Sequence, residues 1–135
     1  FIKRSGHTFL RGDVAVKKIW LFMFGGYAYC FLELLWRGRT HWSMALAGGT
    51  VLLLLWAVRE KESLIFFLFA SAALITLTEF VFGVIFNIYL NLNVWDYSGM
   101  AFNLLGQVCL PYTLLWFALG LPVYYIVGQI KKVLS

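Results

Sequence analysis

Glu79 stands inside a long apolar run, where an acid needs a reason to be. The run extends from about Leu64 to Leu92, and at 1.5 Å per helical residue Glu79 lies about 22 Å from its start. Glu79, Gly83 and Asn87 are spaced four and four, which puts them on one face of a helix. Thr76, three residues before Glu79, extends this polar stripe. Ionisable groups at membrane depth are costly, so such a stripe is expected to face protein or water and to mark a site.

A second group surrounds another acid. Glu33 and Arg37 are four residues apart, with the acid amino-terminal, the order that favours a helical ion pair. That pair has a plain structural reading as a helix-end anchor. Arg37, Arg39 and His41 then crowd one short turn, and two arginines so close together require a partner. Asp96, Glu33, Glu79 or an anionic ligand such as a lipid headgroup would supply it. Further along, Trp95-Asp96-Tyr97-Ser98 precedes Asn103 and Gln107, four apart at the approach to the last apolar run. This loop reads either as a folded cap or as part of an outward-facing polar pocket. The candidate binding residues are therefore Glu33, Arg37, Arg39, His41, Glu79, Asn87, Asp96, Asn103 and Gln107.

The elements that position them follow from hydrophobicity. Apolar residues make up 62% of the 135-residue chain and charged residues 13%, against about 45–50% and about 25% in soluble domains. A chain of this length cannot bury that excess in a water-surrounded core. The expectation is an all-α integral membrane protein, a bundle of four transmembrane helices. The spans are about 19–36, 42–58, 64–92 and 110–127, forming a transmembrane domain over 17–130. A basic arm (1–16) precedes it and a basic tail (131–135) follows. The arm's scattered apolar residues suit either the membrane surface or a plain tail. Period-2 alternation is absent, and open strands cannot span lipid.

Charge sets the orientation. All but two of the 11 basic residues lie in the amino-terminal arm and its junction, in Arg59-Glu60-Lys61-Glu62, or at Lys131 and Lys132. Only Arg37 and Arg39 fall on the other side. The positive-inside rule then places both termini in the cytoplasm. Trp36, Trp42 and Trp95 lie near outer span ends and read as interfacial belt residues. Each hairpin carries an acid in its first helix and a Trp beyond it, a weak echo of a duplicated unit. The net charge of +5 is gathered at span ends, not on a folded basic face, which argues against nucleic acid. Cys30 and Cys109 sit in apolar runs without metal-ligand spacing and read as small buried hydrophobes. No cofactor, metal cluster or catalytic signature is legible. The chain begins at Phe1, which implies a missing start or processing, and its first apolar run reads as a retained helix.

Certain strings also carry a resemblance. The segment Glu33-Leu34-Leu35-Trp36-Arg37-Gly38-Arg39-Thr40-His41-Trp42-Ser43-Met44 with Gly48-Gly49 is the first. Glu79, Gly83 and Asn87, Val94-Trp95-Asp96-Tyr97-Ser98, Phe102-Asn103-Leu104-Leu105-Gly106-Gln107-Val108-Cys109-Leu110-Pro111 and Trp116 are the others. Together they resemble small Firmicutes membrane proteins grouped as candidate type IV ABC-transporter permeases, over about residues 19–125. Ala101 departs from the proline expected there, which bears on loop rigidity. The resemblance implies a protein of the bacterial cytoplasmic (inner) membrane and an ATPase subunit as a possible partner.

Three functions compete on these residues. The first is a small transport protein or permease subunit with a polar intramembrane site around Glu79. The second is an accessory subunit of a larger membrane complex, suggested by Gly25-Gly26, Gly48-Gly49, Gly83 and Gly120 as helix-contact points. The third, ranked last, is a lipid-acting membrane enzyme using Arg37, Arg39, His41 and Asp96. Membrane lipid, a second copy of the chain and other membrane subunits are the expected partners.

Overall fold

A computed structural model describes residues 2–59 and 63–134, and for residues 2–13 only the backbone. The side chains of Lys3, Arg4 and Arg11, and the loop residues Glu60, Lys61 and Glu62, lie outside the described part; the backbone of residues 2–16, read from the sequence as a surface arm or plain tail, is helical and continuous with the first span. Among the described residues there are four α-helices: α1 (Ile2–Arg37), α2 (Trp42–Arg59), α3 (Leu64–Gly83) and α4 (Leu110–Leu134). The stretches Val14–Arg37, Trp42–Arg59, Leu64–Tyr89 and Leu110–Leu134 are each long and apolar enough to cross a membrane. The protein is thus an all-α, multi-pass membrane bundle.

Four of the helix ends have a local cause. Gly38 follows α1 with φ of +77°, and its N–H donates to the Leu34 carbonyl, the usual left-handed stop. His41 caps α2, its Nδ1 accepting from the Ser43 N–H at 3.2 Å. Ser63 caps α3 by accepting from Phe66 N–H at 3.4 Å. Pro111 occupies the first turn of α4, where a missing N–H costs nothing. In lipid these ends matter more than in water, because unsatisfied backbone groups find no solvent.

The third span differs from a uniform helix over 64–92. After Gly83 the chain widens into a π-helix, Val84–Tyr89, and leaves helical geometry at Leu90. The Leu90 N–H reaches back five residues to the Ile85 carbonyl at 3.0 Å. Residues 90–109 then form a long loop. It contains a small antiparallel ladder, β1 (Asn103–Leu104) with β2 (Val108–Cys109), in register Asn103 to Cys109 and Leu104 to Val108. Leu105 and Gly106 both take positive φ to turn it.

Packing follows chain order. α1 packs on α2, α3 on α4, and α2 on α3, while α1 and α4 make little direct contact. The α1–α2 crossing brings backbone onto backbone. A Cβ at Gly48 would lie 2.6 Å from the Gly25 carbonyl oxygen, and one at Gly49 would lie 2.7 Å from that of Phe22. Gly26 is equally tight against Ala45. The glycine pairs foreseen as contact points thus close a hairpin within the chain. Gly120 packs on Ser71 and Leu68 in the same way, between α4 and α3. Large apolar side chains such as Tyr27, Leu35, Phe69 and Leu114 point outward, while Ser43, Ser71, Thr78 and Glu79 are buried.

Gly48→Val should therefore cost about 1–3 kcal/mol by forcing α1 from α2, read as a lower denaturant midpoint in detergent. Gly99→Ala, which meets nothing within 4 Å, should leave that midpoint unchanged.

Candidate functional site

The loop that joins the π-helix to α4 is drawn into the bundle by polar contacts with α3. Each member of the stripe read from the sequence meets a residue of the loop or of α4. The Glu79 carboxylate accepts from the Tyr97 hydroxyl at 3.1 Å and from the Trp116 indole N–H. Gly83 leaves the space into which the Gln107 side chain fits. The Asn87 amide donates to Gln107 Oε1 at 2.8 Å, and its own oxygen accepts from Val94 N–H at 2.7 Å. Thr76 pairs with Thr113 of α4, Oγ1 to Oγ1 at 2.9 Å. One face of the third span is thus a rail to which loop and α4 are fastened.

Trp95 and Tyr97 carry the loop's apolar contribution. Both are buried, with Met44 and Cys109, against Tyr29, Cys30, Phe82 and Tyr112. Trp95 is not a belt residue, contrary to the expectation. Its indole N–H donates to the Gln107 carbonyl at 3.0 Å inside the bundle. Trp36 and Trp42 remain exposed at the helix ends.

From Tyr97 the polar chain continues to α1. The Arg37 guanidinium donates to the Tyr97 oxygen at 2.9 Å and lies 3.5 Å from Glu33 Oε2. The order is Glu33, Arg37, Tyr97, Glu79, Trp116, which ties α1, the loop, α3 and α4 together. Tyr97 can accept from Arg37 while donating to Glu79 only as the neutral phenol. Burial, and next the nearby Glu79 carboxylate, push that phenol above its usual range, which keeps the proton in place. Tyr97 stacks on Tyr112 at 4.8 Å between ring centres, and Tyr112 leans on Trp116.

The nine expected site residues separate into three groups. Glu33, Arg37 and Glu79 belong to this chain of contacts. Asn87 and Gln107 bind each other beneath the loop. Arg39 and His41 lie in the α1–α2 turn beside Glu33 and Arg37 and line a polar cavity of about 250 Å³ with Asn93 and Val94. His41 also holds its own helix, through Ser43. Asp96 and Asn103 stand apart on the surface. Asp96 accepts from Ser98 N–H at 2.9 Å, and that bond holds its carboxyl below the usual range. Asn103 donates to the Ser98 and Met100 carbonyls and accepts from Gly106 N–H, which fastens the turn.

Tyr97 and Trp116 escaped the residue-by-residue reading. Aromatic donors in apolar strings look like packing, and the only signal was that an acid at Glu79 needs N–H or O–H groups from elsewhere in the chain. No described group of three or more His, Cys, Asp or Glu is disposed to hold a metal ion.

Tyr97→Phe should cost about 1–3 kcal/mol, because it strips Glu79 of a donor and Arg37 of an acceptor. The loop should become more open to protease at the same time. Asp96→Asn should leave the stability close to that of the parent, and a loss as large as that of Tyr97→Phe would move Asp96 into the network.

A family model described as "Putative ABC-transporter type IV" matches residues 39–135. The matched part contains Arg39, His41, Glu79, Tyr97, Gln107 and Trp116, while Glu33 and Arg37 precede it. No curated protein and no solved structure matches the chain.

Proposed function

The chain belongs to the type IV ABC-transporter family, and from that premise we propose that it is a membrane subunit of a transport assembly with a polar site around Glu79. The observation that carries this reading is a buried carboxylate linked through Tyr97 to Arg37, beside a groove between α1 and α4. A network confined to holding the bundle together has no need of that opening. The groove provides a route by which a substrate reaches Arg37 and Glu33. In the orientation favoured by basic-residue distribution, both termini are cytoplasmic and the loop of residues 90–109 faces outward. The membrane is then the bacterial cytoplasmic membrane.

A second feature favours work as one subunit among several. α2 ends at Arg59 and α3 begins at Leu64, so the internal connection on the terminal side is four residues long. Arg59 is itself occupied: its Nε donates to the Tyr124 carbonyl at 3.0 Å, and its guanidinium covers the Tyr124 ring at 3.6 Å. That leaves little internal surface for an ATPase, whose coupling then falls to the chain ends or to another membrane subunit. A partner subunit or a second copy has the outward apolar faces of the helices to pack on.

Glu79→Gln tests the site. The amide keeps the size of the side chain and an oxygen for the Trp116 indole, while the Tyr97 hydroxyl loses its acceptor, so the bundle is kept at a cost of about 1–3 kcal/mol and the charge is lost. Flux is measured as the solute differences, by mass spectrometry, between cells with and without the chain. The variant should insert normally and reduce that difference about tenfold or more, the size expected for one charged hydrogen bond. Undiminished flux would sink the reading.

A further inference from the structure

Two cavities meet at the Glu33–Arg37 pair. One, of about 260 Å³, lies between α1 and α4 and is walled by Tyr29, Leu32, Trp36, Tyr112, Leu115 and Leu119, with Glu33, Arg37 and Trp116 completing it. Leu32, Trp36 and Leu115 at its edge are exposed, so the groove opens sideways onto the hydrocarbon. The other, of about 250 Å³, is the polar cavity at the helix ends with Arg37, Arg39, Thr40, His41 and Asn93. Each alone is smaller than the roughly 300–1,000 Å³ of small-molecule sites, and together they fall within that range.

We propose that this pair of cavities binds a lipid with a monoanionic phosphodiester headgroup, the headgroup at Arg37 and Arg39 and the upper part of one tail in the α1–α4 groove. The substrate class rests on the transport reading above, but the binding is measurable without transport.

Three observations converge on that ligand. The order of the cavities, apolar at span depth and polar at the span end, is the order of tail and headgroup in a leaflet. The charges select an anion: Glu33 offsets Arg37, while Arg39 forms no ion pair among the described residues. Among the described residues that line the polar cavity, Arg39 thus has no carboxylate partner, a charge that a headgroup of net −1 neutralises and a zwitterionic one of net zero does not. Length also fits. Tyr29 to Arg37 covers about 12 Å of helix, room for the first part of an acyl chain and not for a whole one. The two arginines on the side that ordinarily avoids positive charge thus gain a partner.

The test is native mass spectrometry of the purified full chain released from vesicles of equal phosphatidylglycerol and phosphatidylcholine. One phosphatidylglycerol should be retained with at least tenfold preference. Arg39→Gln should remove the preference, and Leu115→Trp, which fills the groove, should remove retention, both variants keeping the thermal midpoint of the parent. Equal retention of the two lipids, or full retention in both variants, overturns the proposal. Displacement of the lipid by millimolar glycerol phosphate also overturns it, because the site would then be an anion site alone. If Leu115→Trp fails to fold, the lipid preference and Arg39→Gln decide the matter. Absence of preference together with a flux-dead Glu79→Gln removes this proposal and leaves the transport reading. Preference together with full flux in Glu79→Gln does the reverse.

Discussion

A carboxylate at the depth of Glu79 costs about 2.5–3.5 kcal/mol to place in hydrocarbon even on the mildest scale. Hydrogen bonds to a charged group return about 1.5–3 kcal/mol each, so a pair of donors is of the size needed to offset the cost. The donors come from opposite directions, Tyr97 from the loop and Trp116 from α4. Much of the architecture follows from meeting that demand. The loop must turn inward to deliver Tyr97, and it is held there by Gln107 seated over Gly83 and by Asn87 beneath Val94. The π-helix at Val84–Tyr89 lies where the span gives way to that loop, and Asn87 belongs to it. Widened helical turns recur at places where a helix serves a site as well as a fold.

Around this centre the usual distribution of polarity is reversed. Glu33, Glu79, Ser43, Ser71 and Thr78 lie inside, while many large apolar side chains, among them Phe31, Leu35, Phe69 and Leu114, face out. In lipid, burying leucine gains no solvent entropy, so helices are joined by close backbone approach and by polar contacts. The first hairpin uses the former, through its paired glycines. The second combines the close approach at Gly120 with the latter, through Thr76 with Thr113 and Glu79 with Trp116. A smaller apolar cluster of Leu21, Leu52 and Val127 closes the opposite end, where Arg59 and Lys131 lie over Tyr124 and Trp56.

One consequence reaches function. With α1 held by α2 and α4 held by α3, α1 and α4 make little direct contact, the Trp36 indole N–H donating to the Tyr112 hydroxyl between them at 3.4 Å. The aromatic row Tyr97, Tyr112 and Trp116 forms the wall between them, and Arg37 bridges its upper end. The same contacts that neutralise a buried acid therefore leave a slot open to the membrane, with a charged pair at its end. A transport subunit that selects from the lipid phase needs such a combination, and a water-facing site would not.

Much of this was legible in the residues themselves. Hydrophobic runs long enough to span and a bias of basic residues are properties of local composition, so the helices and their number follow directly. The Glu33–Arg37 pair and the Glu79–Gly83–Asn87 stripe follow from the 3.6-residue period, which sets neighbours along one helix whatever surrounds it. Partners across elements obey no such period. Tyr97 lies 18 residues from Glu79 and Trp116 lies 37, distances bridged only once a loop without regular repeat has folded back. The same reason explains Trp95, whose place near a span end suggested an interface and whose loop carried it inside. It also explains Asp96, an acid beside the site in sequence that turns outward to Ser98. The chain alone determined that a membrane acid needed donors. The tertiary structure decided which side chains would give them, because only packing brings a loop and two helices to one carboxylate.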